Sequence, residues 1–324
     1  MSSQNKLSKI NLYDQLNAAF VSLITPEMPG LNAIRKKNNY NPNQPTIAKP
    51  FPMPFENISL NGANIRMAKS VIGADKPTVV LLSAFPHSIM AYSPIWNILK
   101  EKFNLYAYDM PGFGQSETKA EFMNFKFQGN FLNTFLKHFN IEESHLVAPD
   151  VGMAAALTYL GNHKNNIKSI MVGDGPGVWP SADPSIMKKM TTSAFWRFMF
   201  VVAGSGALVQ SAINICNVKY VPNKYEISDF KSSHNGKVAN AMKWFKDYAN
   251  SVPKIDASLS NIKTPTKIFW GEHDAILFKE NAENIHKRMP NSELQIFANA
   301  GHFVYQDAYE KFADMVDKWV SKHN

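Results

Sequence analysis

Two carboxylates and an imidazole, Asp150, Asp274 and His302, each follow a short apolar run in this chain, in that order. Asp150 stands in Val147-Ala148-Pro149-Asp150-Val151-Gly152, ahead of the small helix formers Ala154, Ala155 and Ala156. The pattern is that of a strand, a sharp turn and a helix, with the reactive side chain at the turn. A carboxylate is ionised at neutral pH and can displace a leaving group from a saturated carbon. A serine at such a turn would need a base and would attack a carbonyl instead. Asp274, in Gly271-Glu272-His273-Asp274, suits an acid that orients a histidine. His302, in Gly301-His302-Phe303, suits a base. Asp174, in Gly173-Asp174-Gly175 after another apolar run, is the alternative orienting acid.

Two further turns belong to the same set. Ser83-Ala84-Phe85-Pro86 offers backbone N–H groups that can join that of Val151 around an oxyanion, with Pro86 placed to touch substrate. His87 follows, with a pocket-lining and a structural role both open to it. Asp109-Met110-Pro111-Gly112-Phe113-Gly114 has glycines that permit a tight loop, and its Asp reads as structural.

For these turns to meet, the runs before them must lie side by side. Residues 79–82, 105–108, 146–148, 170–172, 267–270 and 293–297 are apolar runs separated by helical segments. That predicts an α/β fold, a mostly parallel sheet with helices on both faces, whose site lies at the carboxyl ends of the strands. Residues 177–258 break the rhythm and are rich in helix formers, Met and aromatics. They predict a helical cap inserted into a core made of 51–176 and 259–324. Residues 1–50 predict a helix over 7–24, with Ile10, Tyr13, Leu16, Phe20 and Leu23 near helical spacing, and then an irregular arm rich in Pro and Asn. They are expected to pack across the outside of the core, with dimerisation or covering of the active-site entrance as the less favoured roles.

The bulk numbers limit the chemistry. At 324 residues and 45% hydrophobic, the chain can bury a large core. Cys216 is the only cysteine, so no cysteine cluster can hold a metal, and no metal or other cofactor is expected. Net charge is +8, but only Arg35, Arg66, Arg197 and Arg288 are arginines, and the lysines are scattered. That reads as a solvated surface, not a nucleic-acid site. No apolar stretch is read as approaching the roughly 20 residues of a membrane span, and the N-terminus lacks the pattern of a signal peptide. The expected setting is cytoplasmic and away from membranes, and a homodimer is left open.

Taken together, the Asp150 turn, the Asp274 turn, the Asp109–Ser116 loop and the Gly-His-Phe segment resemble the α/β-hydrolase superfamily over roughly residues 55–320. The branch they resemble has an aspartate nucleophile: epoxide hydrolases and haloalkane dehalogenases. The resemblance implies that Asp150 forms an alkyl ester with a small apolar organic substrate. It also implies that His302, held by Asp274, activates the water that cleaves the ester, with the N–H groups of Phe85 and Val151 as the oxyanion hole. Epoxide hydrolysis to diols is the main expectation. Dehalogenation by the same ester, and a relative that only binds a small molecule, are the alternatives. The chain departs from the branch in three places. Val151 stands where dehalogenases carry Trp, and Ser83-Ala84 where epoxide hydrolases carry His-Gly. In the cap helix around 241–248, Trp244 or Phe245 stands where a Tyr hydroxyl is expected. Trp244 and Tyr248 are the candidate cap contacts to substrate, with Tyr220 and Tyr225 as further tyrosines.

Overall fold

The computed structural model describes residues 7–163 and 167–324. Eight strands form one sheet: β1 (Phe55–Leu60), β2 (Ala63–Ser70), β3 (Thr78–Leu82), β4 (Asn104–Tyr108), β5 (Ser144–Pro149), β6 (Ile167–Gly173), β7 (Thr266–Gly271) and β8 (Ser292–Phe297). Their order is β1-β2-β4-β3-β5-β6-β7-β8, with β1 and β2 antiparallel and the rest parallel. The six parallel strands coincide with the six apolar runs, as expected for strands covered on both faces. The β1–β2 hairpin was not among them. Residues of β1 are alternately half-buried and exposed, so the run is not continuously apolar. Its signal was Asn61-Gly62, both with positive φ (50° and 76°), the turn chemistry of a tight hairpin.

Helices cover the sheet and build the cap. In chain order they are α1 (Leu12–Leu23), α2 (Met28–Lys37), α3 (Ser93–Leu99), α4 (Phe125–His138), α5 (Val151–Asn162), α6 (Ser185–Thr192), α7 (Ala194–Cys216), α8 (Lys224–His234), α9 (Val238–Lys246), α10 (Tyr248–Ser258), α11 (Glu280–Arg288), α12 (Val304–Asp307) and α13 (Tyr309–His323). The segment between β6 and β7 is thus helical, from α6 to α10.

The N-terminal arm differs from its expectation twice. Part of it is a second helix, because Pro29 sits in the first turn of α2, where a missing N–H costs nothing. And it packs on the inserted helices. Arg35 donates to the carbonyls of Asn217 (2.9 Å) and Ile213 (3.1 Å), and Thr46 and Val221 exchange hydrogen bonds. Asp14 of α1 pairs with Lys231 of α8 at 2.6 Å.

A buried ion network ties cap to core. Arg66 of β2 bonds Asp109 after β4 at 2.8 Å and takes both carboxylate oxygens of Asp229 on α8, at 2.6 and 3.1 Å. Asp109 also accepts the N–H groups of Ile89 and Gln115, so its role is structural. Arg66→Met would leave two buried carboxylates without their cation. It is expected to destabilise the fold by about 3–5 kcal/mol in denaturant unfolding, with the cap loosened.

Candidate active site

The turns that carry Phe85, Asp150, Asp274 and His302 lie at the carboxyl ends of β3, β5, β7 and β8. Asp150 joins β5 to α5 with φ 50° and ψ −123°, a strained backbone that costs about 1–3 kcal/mol. The turn is held from outside. The Asp150 N–H bonds the Gly173 carbonyl at 2.9 Å. Gly175 lies so close that a Cβ there would stand 2.4 Å from the Asp150 carbonyl oxygen. The strain lifts the carboxylate clear of the sheet at the N-terminus of α5, where the helix dipole favours negative charge.

Around that carboxylate the expected partners come together. The Phe85 N–H donates to Asp150 Oδ2 at 2.6 Å. Val151 opens α5 beside it. His302 Nε2 lies 3.8 Å from Asp150 Oδ1, and its Nδ1 is 2.9 Å from Asp274 Oδ2. The other Asp274 oxygen accepts the N–H groups of Ile276 and Leu277 at 2.7 and 2.9 Å, which fixes the carboxylate. Burial alone would strip the charge from His302, but Asp274 and Asp150 outweigh it and hold the imidazole well above its ordinary range.

Asp174 does not take the orienting place. Its Oδ1 accepts the Gly271 N–H at 3.1 Å, and no hydrogen bond joins it to His302. Burial and then the charge of Asp274 push its carboxyl well above the ordinary carboxylate range, so it stays neutral. His87 is buried and stacked between Phe303 and Phe230, with Nδ1 2.8 Å from the Tyr305 hydroxyl.

A cavity of about 60 Å³ lies over Asp150 and His302. Phe85, Pro86 and Ile276 wall it on the core side, and Val21, Met190, Phe200, Leu208 and Phe245 roof it. Ser211 and Cys216 also line it, and the Ser211 hydroxyl is buried with no hydrogen-bond partner among the described residues. Val21, Ser211 and Cys216 carried no sequence signal, because they lie far from any motif and only the fold brings them in.

Pro86 lines this cavity, but Trp244 and Tyr248 do not. The Trp244 ring stacks on Phe125 at 4.3 Å and meets Phe113 edge-on, so the face of α9 turned to the cavity is that of Phe245. Tyr248 packs edge-on to Phe125. The Tyr220 hydroxyl is taken by Glu226 at 2.8 Å. One positioning residue had escaped notice. Asp307 accepts N–H groups from Val218, Lys219, Tyr220 and Gly301, tying the end of the cap helix α7 to the His302 loop.

The family model for the alpha/beta hydrolase fold matches residues 77–309, most of the chain. The chain belongs to the α/β-hydrolase family. A monoacylglycerol lipase of Mus musculus is 23% identical to this hydrolase over 266 residues, covering 77% of each chain. Among solved structures, an epoxide hydrolase without ligand superposes with a TM-score of 0.71 at 16% identity, over 84% of this chain and all of its own. A membrane phospholipase A superposes with a TM-score of 0.68 at 17% identity, over 95% and 96%. At such identities the structural likeness speaks to the fold alone.

Proposed function

We propose that this hydrolase opens epoxides to diols through an ester on Asp150. The observation that carries the reading is a carboxylate, not a hydroxyl, at the strained turn, with the Phe85 N–H on one oxygen and His302 beside the other. A carboxylate so placed attacks saturated carbon, and the turn lacks the hydroxyl with which a lipase starts acyl transfer. Apolar walls suit a small apolar epoxide.

The steps balance with this chain's own groups. An Asp150 oxygen bonds one ring carbon and the C–O bond of the epoxide breaks. The ring oxygen, held by the Ser211 hydroxyl, takes the Nε2 proton of the His302 imidazolium. This reading gives the donor's place to His302, whose Nε2 lies 3.8 Å from Asp150 Oδ1. Ester formation also removes the charge of Asp150, one of the two that raised His302. The imidazole is then neutral when it must accept a proton from water. The hydroxide formed attacks the ester carbonyl, the N–H groups of Phe85 and Val151 bind the oxyanion, and collapse breaks the ester C–O bond, the departing alkoxide taking the proton from His302 to complete the diol. The Asp150 carboxyl left behind passes its proton to His302, so one epoxide and one water give one diol.

The test is product analysis with a panel of apolar epoxides in water enriched in heavy oxygen. During a single turnover on excess enzyme, the label is expected in the Asp150 carboxylate, because water attacks the ester carbonyl. Label in the diol alone, or no diol from any member of the panel, would overturn the reading. Halide release from haloalkanes would mark the dehalogenase instead.

The raised pKa of His302 sets a pH dependence. The proton needed for ring opening is present below the folded pKa and lost as pH rises through it. Single-turnover ester formation from an epoxide is therefore expected to persist through the ordinary histidine range and fall on its alkaline side. A rate that rises there would contradict the proton-donor role.

A further inference from the structure

The apolar stripe of α1 faces outward. Leu12, Leu16, Phe20 and Leu23 are at i, i+4, i+8 and i+11, and their exposure runs from 50% at Phe20 to 85% at Leu23. The face of α1 turned to the protein is Asp14, Ala18 and Val21. A second stripe stands on the neighbouring helix α7: Phe195 and Phe198 (63% and 62% exposed), Met199 and Val202, at i, i+3, i+4 and i+7. The Tyr13 hydroxyl, on α1, donates to the Val202 carbonyl and so joins the two stripes. The helix α7 is long and apolar enough to cross a membrane by length and composition, contrary to the expectation that no apolar stretch approaches that length. In the fold it is broken at Gly204 (φ 84°), with the stripe before the break and mostly buried residues after it. So the outer half is a surface helix and the inner half a core helix.

Charge tells what covers this face. Between Asp183 and Glu226 the chain has no acidic residue, while the outer half of α7 carries Arg197 and Lys188 and Lys189 precede it on α6. On α1 the one carboxylate, Asp14, is buried against Lys231. Lys9, just before α1, and Lys188, on the helix before α7, are exposed. A broad apolar face with cationic neighbours and no exposed carboxylate on its helices matches the interfacial zone of an anionic bilayer. We infer that α1 and the outer half of α7 seat the protein on an anionic lipid surface, revising the expectation of no membrane partner. The same helices roof the cavity through Val21, Phe200 and Leu208, which places the reactive carboxylate directly beneath the docking face. An apolar substrate dissolved in the bilayer would then meet the cap first.

The test is co-sedimentation with phosphatidylcholine vesicles, with and without about a third phosphatidylserine, using the full chain. Binding to the anionic vesicles, weakened by high salt, is the expected result. The variant Leu16→Ser/Phe20→Ser/Phe198→Ser touches only exposed positions. It should lose at least about tenfold in partitioning with an unchanged unfolding midpoint. Equal binding by this variant, equal binding to uncharged vesicles, or no binding at all would overturn the inference. So would a dimer, seen by light scattering and abolished by the same three substitutions, that leaves no free face for lipid. Vesicle binding is read without any substrate, so its failure is separate from that of the epoxide reading.

Discussion

Asp150→Asn is expected to cut diol formation at least about a thousandfold while leaving the fold intact. The amide keeps an acceptor oxygen for the Phe85 N–H, which is 2.6 Å from Asp150 Oδ2, and Asn tolerates a φ of 50° nearly as well as Asp. What is lost is the nucleophile. Steady-state diol release and intact-protein mass together check this: no turnover and no adduct on the variant, against an adduct on the unmodified enzyme. Substantial activity in Asp150→Asn would move the chemistry to a water activated directly by His302, and the ester would have no place in the mechanism.

The second large effect is His302→Gln, expected to stop the reaction after one chemical event. Gln cannot activate water, so the ester on Asp150 should accumulate to one equivalent and persist, with turnover down at least about a thousandfold. The leaving group makes the result sharper. A haloalkane leaves as halide and needs no proton, so any ester it forms should form at a rate little changed by the substitution. An epoxide needs the proton that His302 holds at rest, so its ester should form many times more slowly than in the unmodified enzyme. Equal slowing for both would remove His302 from ring opening and leave it only the water step. Asp274 holds Nδ1 of this ring at 2.9 Å, so its loss should act through the orientation of His302.

Much of this was legible before any coordinate. Buried parallel strands are apolar on both faces, so six of them showed as plain runs. The turns after four of them carried the candidate site residues, and the fold brings Asp150, Phe85, Asp274 and His302 together. The half-exposed β1 lacked that signature. Helix faces were the larger difficulty. Periodicity tells which residues share a face but not which way the face turns. For α1 it found the right stripe, yet that stripe faces away from the protein. For α9 it offered Trp244, when the ring at the cavity is that of Phe245. Both depend on long-range packing, which local spacing does not encode.

The roof over Asp150 combines Val21 of α1 with residues drawn from Ile186 to Cys216 and with Phe245. If this cavity takes the substrate as proposed, substrate choice is written jointly in two stretches separated by most of the core. Transplanting the inserted helices alone into a related enzyme would carry only part of the pocket and leave a gap where Val21 had been. Anyone reshaping selectivity in this scaffold must redesign the leading helix and the insertion as one unit.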